Sequence, residues 1–170
     1  MLKLPEAHLN PLCELFMASV LMVYGSTGGN TEMAVDHIAG LLRERSHSVH
    51  LQRAELTVPD DLHSADVVVL ASPTYGHGTL QPDMALLVDE LRHLDLGGKP
   101  CAVIGLGDPK YEPQYHIESA NTLEKLVQSM NGRLLLPSLR ISRSPVLFLD
   151  TLIPHWAGQL ASLCGGPDKN

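Results

Sequence analysis

The apolar positions of this chain fall into two kinds of pattern that take turns from residue 18 onward. SVLMVY (19–24), VVVLA (67–71) and CAVIGL (101–106) are short, continuous and rich in valine. A strand with one wet face alternates apolar and polar residues, so unbroken runs of this kind predict strands buried on both faces of a parallel sheet. Between them the apolar residues are spaced as single helical faces: Ala34, Ile38, Leu41 and Leu42, then Met84, Leu87, Val88 and Leu91, then Leu123, Leu126, Val127 and Met130. VHLQRA (49–54) and RLLLPSLRI (133–141) supply two further strands, and residues 145–163 a last helix, bent before Pro154. Strands alternating with helices, without an internal repeat, predict a doubly wound α/β sheet. Right-handed crossovers leave few topologies, of which the strand order 2-1-3-4-5 suits five parallel strands with helices on both faces.

In such sheets ligands sit outside the carboxyl ends of the strands, where the winding reverses. Three loops are placed there: GSTGGNT (25–31), SPTYGHG (72–78) and GDPKYEPQY (107–115). Aromatic residues make up only 4% of the chain, yet Tyr75, Tyr111 and Tyr115 fall in the last two loops. The first loop has no charge. It ends a strand and opens a helix, so free backbone N–H groups and the helix dipole favour an anion there. Gly28 and Gly29 permit close approach, while Ser26, Thr27, Asn30 and Thr31 add donors, which together read as a phosphate cradle. The plain alternative is a strand-to-helix turn capped by Asn30 or Thr31. The missing lysine excludes a Walker A loop, and the spacing is not GxGxxG.

Length and composition narrow the picture. The 170 residues and 44% hydrophobic content suit one domain, expected at 18–165, with an N-terminal extension at 1–17 and a polar tail at 166–170. Met17 is a candidate alternative start. A net charge of -7 with no basic cluster beyond Arg43 and Arg45 argues against nucleic acid or an anionic membrane, and favours basic or neutral partners. Cys13, Cys101 and Cys164 fit neither a disulfide framework nor a metal site, which suits a reducing cytoplasm. The nine histidines show no metal-binding spacing, so solvated or locally bonded imidazoles are expected, His47 and His50 included. Glu32, Asp83, Asp89, Glu90 and Glu112 form either a negative rim around the loops or an ordinary solvated surface.

Taken as motifs, YGSTGGNTE resembles the FMN-phosphate loop of flavodoxins, [ST]xTGxT; SPTYG resembles that family's second loop, and GLGDPKYE its third, GxGDxxYE. The three occur in order across residues 19 to about 163, and the uninterrupted segment 133–141 is similar to the short-chain type. Gly28 departs from the hydroxyl residue common there. The resemblance implies a flavodoxin-like fold binding FMN. Ser26, Thr27, Asn30 and Thr31, with the amides through Gly28 and Gly29, would hold its phosphate. Tyr75 and Tyr111 would sandwich the ring, within loops that also contribute Ser72, Pro73 and Thr74 on one side and Gly105, Leu106 and Gly107 on the other. Asp108 would meet the pyrimidine edge. Gly76 would let its peptide turn its carbonyl toward N5. His77 would either tune the ring electrostatically or point away from it.

The implied function is a monomeric, cytoplasmic electron carrier without substrate chemistry, shuttling single electrons between a flavodoxin reductase and an acceptor. One rival is an FMN-dependent NAD(P)H:quinone reductase or a reductase domain of the same fold. A non-redox receiver module would need an acidic pair after the first strand and an aspartate after the third, where Tyr24-Gly25 and Ala71-Ser72 stand.

Overall fold

A computed structural model describes residues 17–165, so the expected extension and tail lie almost wholly outside the described residues. β1 (Ser19–Tyr24), β2 (Ser48–Arg53), β3 (Val67–Tyr75) and β5 (Pro100–Gly107) pair in parallel in the order β2-β1-β3-β5. The expected fifth strand extends this ladder as two pieces. β6 (Arg133–Leu134) pairs with the start of β5 and β7 (Leu139–Ser142) with its end. The unbroken strand expected over 133–141 is thus corrected. Pro137, in the gap, has no N–H for a ladder, and its carbonyl instead accepts from Trp156 Nε1 at 2.9 Å.

Strand residues alternate strictly between two cores. Val20, Met22, Val69, Ala102, Ile104 and Ile141 face α1 (Asn30–Glu44) and α4 (Leu152–Cys164). Leu21, Val23, Val68, Leu70 and Val103 face α2 (Pro82–Leu91) and α3 (Glu118–Ser129). The last helix also differs from expectation. Pro145–Phe148 is a separate 3-10 turn and α4 starts at Leu152, so Pro154 sits in its first turn, where the missing N–H costs nothing.

Two contacts fix the sheet's upper end. α3 lies so close over β5 that a Cβ on Gly105 would come within 2.6 Å of Ala120 Cβ, and one on Gly107 within 2.7 Å of Ile117 N. β3 runs on past the sheet and turns back through Gly76–Gly78 into β4 (Thr79–Leu80), an antiparallel partner. The SPTY stretch expected as loop is therefore strand, and the turn lifts Gly76 and His77 above the sheet edge.

His47 is buried rather than solvated. Its Nδ1 accepts from Ala18 N at 3.2 Å and its Nε2 donates to Ala161 O at 2.9 Å, joining the start of β1 to the end of α4. Among the described residues no helix is long and apolar enough to cross a membrane, and no cluster of candidate metal ligands occurs.

Candidate functional site

The loop after β1 is stiffened from below. Ser26 is buried, and its Oγ accepts from Gly29 N at 3.2 Å, so this hydroxyl shapes the loop. Arg53 Nη2 donates to Ser26 O at 2.7 Å while its Nε holds Glu55 at 2.7 Å. Gln81, also buried, accepts from Met84 N as the cap of α2 and donates to Thr27 Oγ1 at 3.3 Å. Gly25 is required here, because a Cβ would stand 2.5 Å from Gln81 Oε1. Tyr24 donates to Glu32 at 3.1 Å, and burial followed by that carboxylate raises its phenol above the ordinary range.

Neither Asn30 nor Thr31 caps α1. Gly29 takes that place, at φ 89° and with no side-chain cap. The left-handed turn suits glycine and leaves the first N–H groups of the helix open over Thr27 and Gly28, both exposed. Thr31 is 1% exposed, and its Oγ1 is buried without a hydrogen-bond partner. A buried hydroxyl without a hydrogen-bond partner is costly. It lies in the first turn of a helix whose amides are also open, which is the donor set an oxyanion requires.

Beside this cradle opens a cavity of about 580 Å³. Asn30 forms its edge toward the cradle. Pro73, Thr74, Tyr75 and Gly76 line one wall, and Leu106, Gly107, Asp108 and Tyr111 another. Tyr111 is 78% exposed, with Lys110 Nζ 5.8 Å from its ring centroid. Asp108 closes its own turn, Oδ1 accepting from Lys110 N at 2.9 Å, and also lines the cavity. Of the candidate residues outside the 26–31 cradle, three stand apart from the lining. Ser72 is fully buried, donating to Pro73 O and accepting from Gln81 N. Gly105 lies beneath α3. His77 has a side chain 86% exposed, with its amide donating to the Glu112 carboxylate and its Nδ1 3.5 Å from that group.

The rest of the wall is Glu112, Tyr115, His116, Ile117, Arg143 and Ser144; the sequence placed Tyr115 and Glu112 in or near the loops without giving them a role, and missed the other four. Gln81 and Arg53, which support the cradle, were missed as well. The Gln-Pro-Asp start of α2 was a readable cap; Arg53 carried no signal. Most of the acidic residues have internal partners. Glu32 meets Arg53, Asp83 accepts from Gln81, Asp89 meets Arg92 at 2.9 Å, and Glu112 meets His77. Asp89 and Glu90 also sit at the end of α2 away from the cavity, since a crossover helix runs back along the sheet.

This assembly offers an anion cradle at a helix start next to a slot walled by two tyrosines, a fit for a flat heterocycle carrying a phosphate. The Flavodoxin family model matches residues 22–156. "Probable flavodoxin 2" of Bacillus subtilis is 35% identical over 132 residues, 76% of this chain and 85% of that one. The crystal structure of oxidised Flavodoxin 2 from Bacillus cereus superposes with a TM-score of 0.76 at 31% identity, covering 86% of this chain and 97% of that one. Flavodoxin of Fusobacterium nucleatum bound to flavin mononucleotide gives a TM-score of 0.76, covering 86% and 98%; at 17% identity this likeness is one of fold.

Proposed function

This chain belongs to the flavodoxin family, of the short-chain type, and on that premise we propose that it holds FMN with its phosphate in the 26–31 cradle and its ring between Tyr75 and Tyr111. It is an FMN-binding electron-transfer protein, a carrier rather than an enzyme. The bound flavin supplies the redox chemistry, and the protein supplies binding, orientation and electrostatics.

The observation that carries the proposed placement is Thr31 Oγ1, buried and unbonded at the open start of α1. A phosphate accepting from this hydroxyl and from the neighbouring amides satisfies every one of them, and the helix dipole favours its charge. Ser26 and Gln81 hold the loop in shape from beneath. The two tyrosines would offer aromatic faces to a flat ring, and Asp108 stands at the cavity wall with a carboxylate able to accept a ring N–H. Thr74 is held by Ser119: its hydroxyl donates to Ser119 Oγ at 2.9 Å and accepts from Ser119 N at 3.1 Å.

As partners we propose a reductase that delivers electrons and an acceptor that takes them, in the cytoplasm. The test is FMN reconstitution followed by stepwise reduction with dithionite. Stoichiometric flavin with two resolved one-electron steps supports the carrier. A colourless protein that ignores added FMN refutes the site, and rapid NAD(P)H turnover by the isolated protein would favour the reductase reading instead.

A further inference from the structure

Five described residues other than glycine have a left-handed backbone: Ser46, His77, Ile117, Asn131 and Arg143. Ser46 and Asn131 stand two residues beyond α1 and α3, where helices commonly end this way. The other three gather at the cavity. Ile117 and Arg143 line it, and His77 follows Gly76. A side chain in this region costs roughly tenfold in the folding equilibrium, and such outliers cluster at functional sites.

Packing accounts for two of them. Ile117 is buried over Gly107, and the conformation of His77 delivers its amide to Glu112. Arg143, at φ 70°, differs. Its amide donates to Gly107 O at 2.8 Å, a bond glycine would make equally well. The side chain is exposed and makes no hydrogen bond or ion pair with any described residue. The backbone explains why the position is left-handed, and nothing local explains why it is arginine.

The cavity supplies a reason. Its lining carboxylates are Asp108 and Glu112, and Arg143 is the lining residue with a permanent positive charge; His116 bonds Ser142 Oγ at 3.0 Å. Full reduction of a flavin takes up two electrons and one proton at N5, leaving a negative charge on the pyrimidine side at neutral pH. We infer that Arg143 is an electrostatic selector for reduced FMN, its guanidinium offsetting at the cavity wall the repulsion that Asp108 and Glu112 exert on that charge. The inference rests on the ring placement proposed above. An exposed cation is screened, so the effect is modest: about fivefold to tenfold in the ratio of reduced to oxidised affinity, where tenfold corresponds to about 59 mV in a one-electron potential.

The experiment measures oxidised-FMN affinity and both reduction potentials, with dithionite as reductant, for the native protein and for Arg143→Lys, Arg143→Gln and Arg143→Gly. Arg143→Lys should keep the native ratio. Arg143→Gln and Arg143→Gly should both lower it about fivefold to tenfold, the difference shrinking as salt rises toward about 1 M. The denaturation midpoint of the FMN-free protein separates strain from charge: Arg143→Gly should unfold later than native and Arg143→Gln should not. Equal ratios in native, Gln and Gly proteins that all bind FMN would overturn the selector alone. A native protein that binds no FMN would overturn the site placement and the selector with it.

Discussion

Replacing Thr31 by valine should move stability and binding in opposite directions. The side chain is 1% exposed and its hydroxyl has no partner in the protein. Valine keeps the branched shape and removes the orphan. An unsatisfied buried hydroxyl costs about 1 to 3 kcal/mol, so the FMN-free variant should gain about 1 kcal/mol, seen as a rise of roughly 2 to 4 °C in Tm for a domain of this size. In the complex the same hydroxyl donates to a charged phosphate, a bond worth about 1.5 to 3 kcal/mol, so FMN affinity should fall by about tenfold to a hundredfold. Riboflavin, which lacks the phosphate, should bind both proteins alike, and Thr31→Ser should keep near-native FMN affinity while losing about 1 kcal/mol of stability with its buried methyl. Differential scanning calorimetry of the FMN-free proteins and fluorescence titration with each ligand decide the matter. A variant that melts earlier while binding FMN as tightly as native would show that the hydroxyl serves the fold and leaves the phosphate to other donors.

Three further outcomes follow from particular contacts. Gly105→Ala should cost about 1 to 3 kcal/mol in urea denaturation, because its Cβ would meet Ala120 Cβ at 2.6 Å and Ala120 N at 2.9 Å, one of them backbone that cannot yield. Gly76→Ala should leave oxidised FMN bound within about twofold, since nothing lies within 4 Å of the added Cβ; if the peptide must turn over on reduction, the first one-electron potential should fall by roughly 59 mV in a spectroelectrochemical titration. Asp61 accepts from Val58 N at 3.0 Å and from Gln52 Nε2 at 2.8 Å, and these bonds, the backbone one first, hold its folded pKa below the ordinary value. A depressed carboxylate stabilises the fold fully above its unfolded pKa of about 3.9 and loses that contribution as pH falls through the folded value. Urea midpoints recorded below about pH 5 should therefore decline more gently in Asp61→Asn than in native protein.

The sequence made the buried strands easy to read because no polar residue interrupts 19–24, 67–71 or 101–106. It misled at 133–141 for a related reason: the segment is apolar on both sides of Pro137, and a hydropathy pattern does not register a missing N–H. The cradle was visible because its chemistry is local, with glycine, hydroxyl and amide residues side by side. Its supports were not, since Arg53 reaches Ser26 across 27 residues and Gln81 reaches Thr27 across 54. Arg143 was the least legible of all. Glycine or asparagine would announce a left-handed residue, whereas arginine reads as one more surface cation.

The bridge through His47 bears on how the chain matures. It spans 29 residues to Ala18 and 114 to Ala161. Closing a loop of the longer span costs on the order of 4 kcal/mol of chain entropy, more than a single hydrogen bond of about 1 kcal/mol returns. The driving force is the packing of Ile153, Trp156, Ala157 and Leu160, and the imidazole marks the point of closure. These residues emerge late from the ribosome. Until they arrive, the sheet face that carries Val20, Met22, Val69 and Ile104 has only α1 to cover it, so a nascent or prematurely terminated chain presents a wide apolar surface to chaperones and proteases. A stop codon just before Leu152 would remove α4 and with it half the roof over that face.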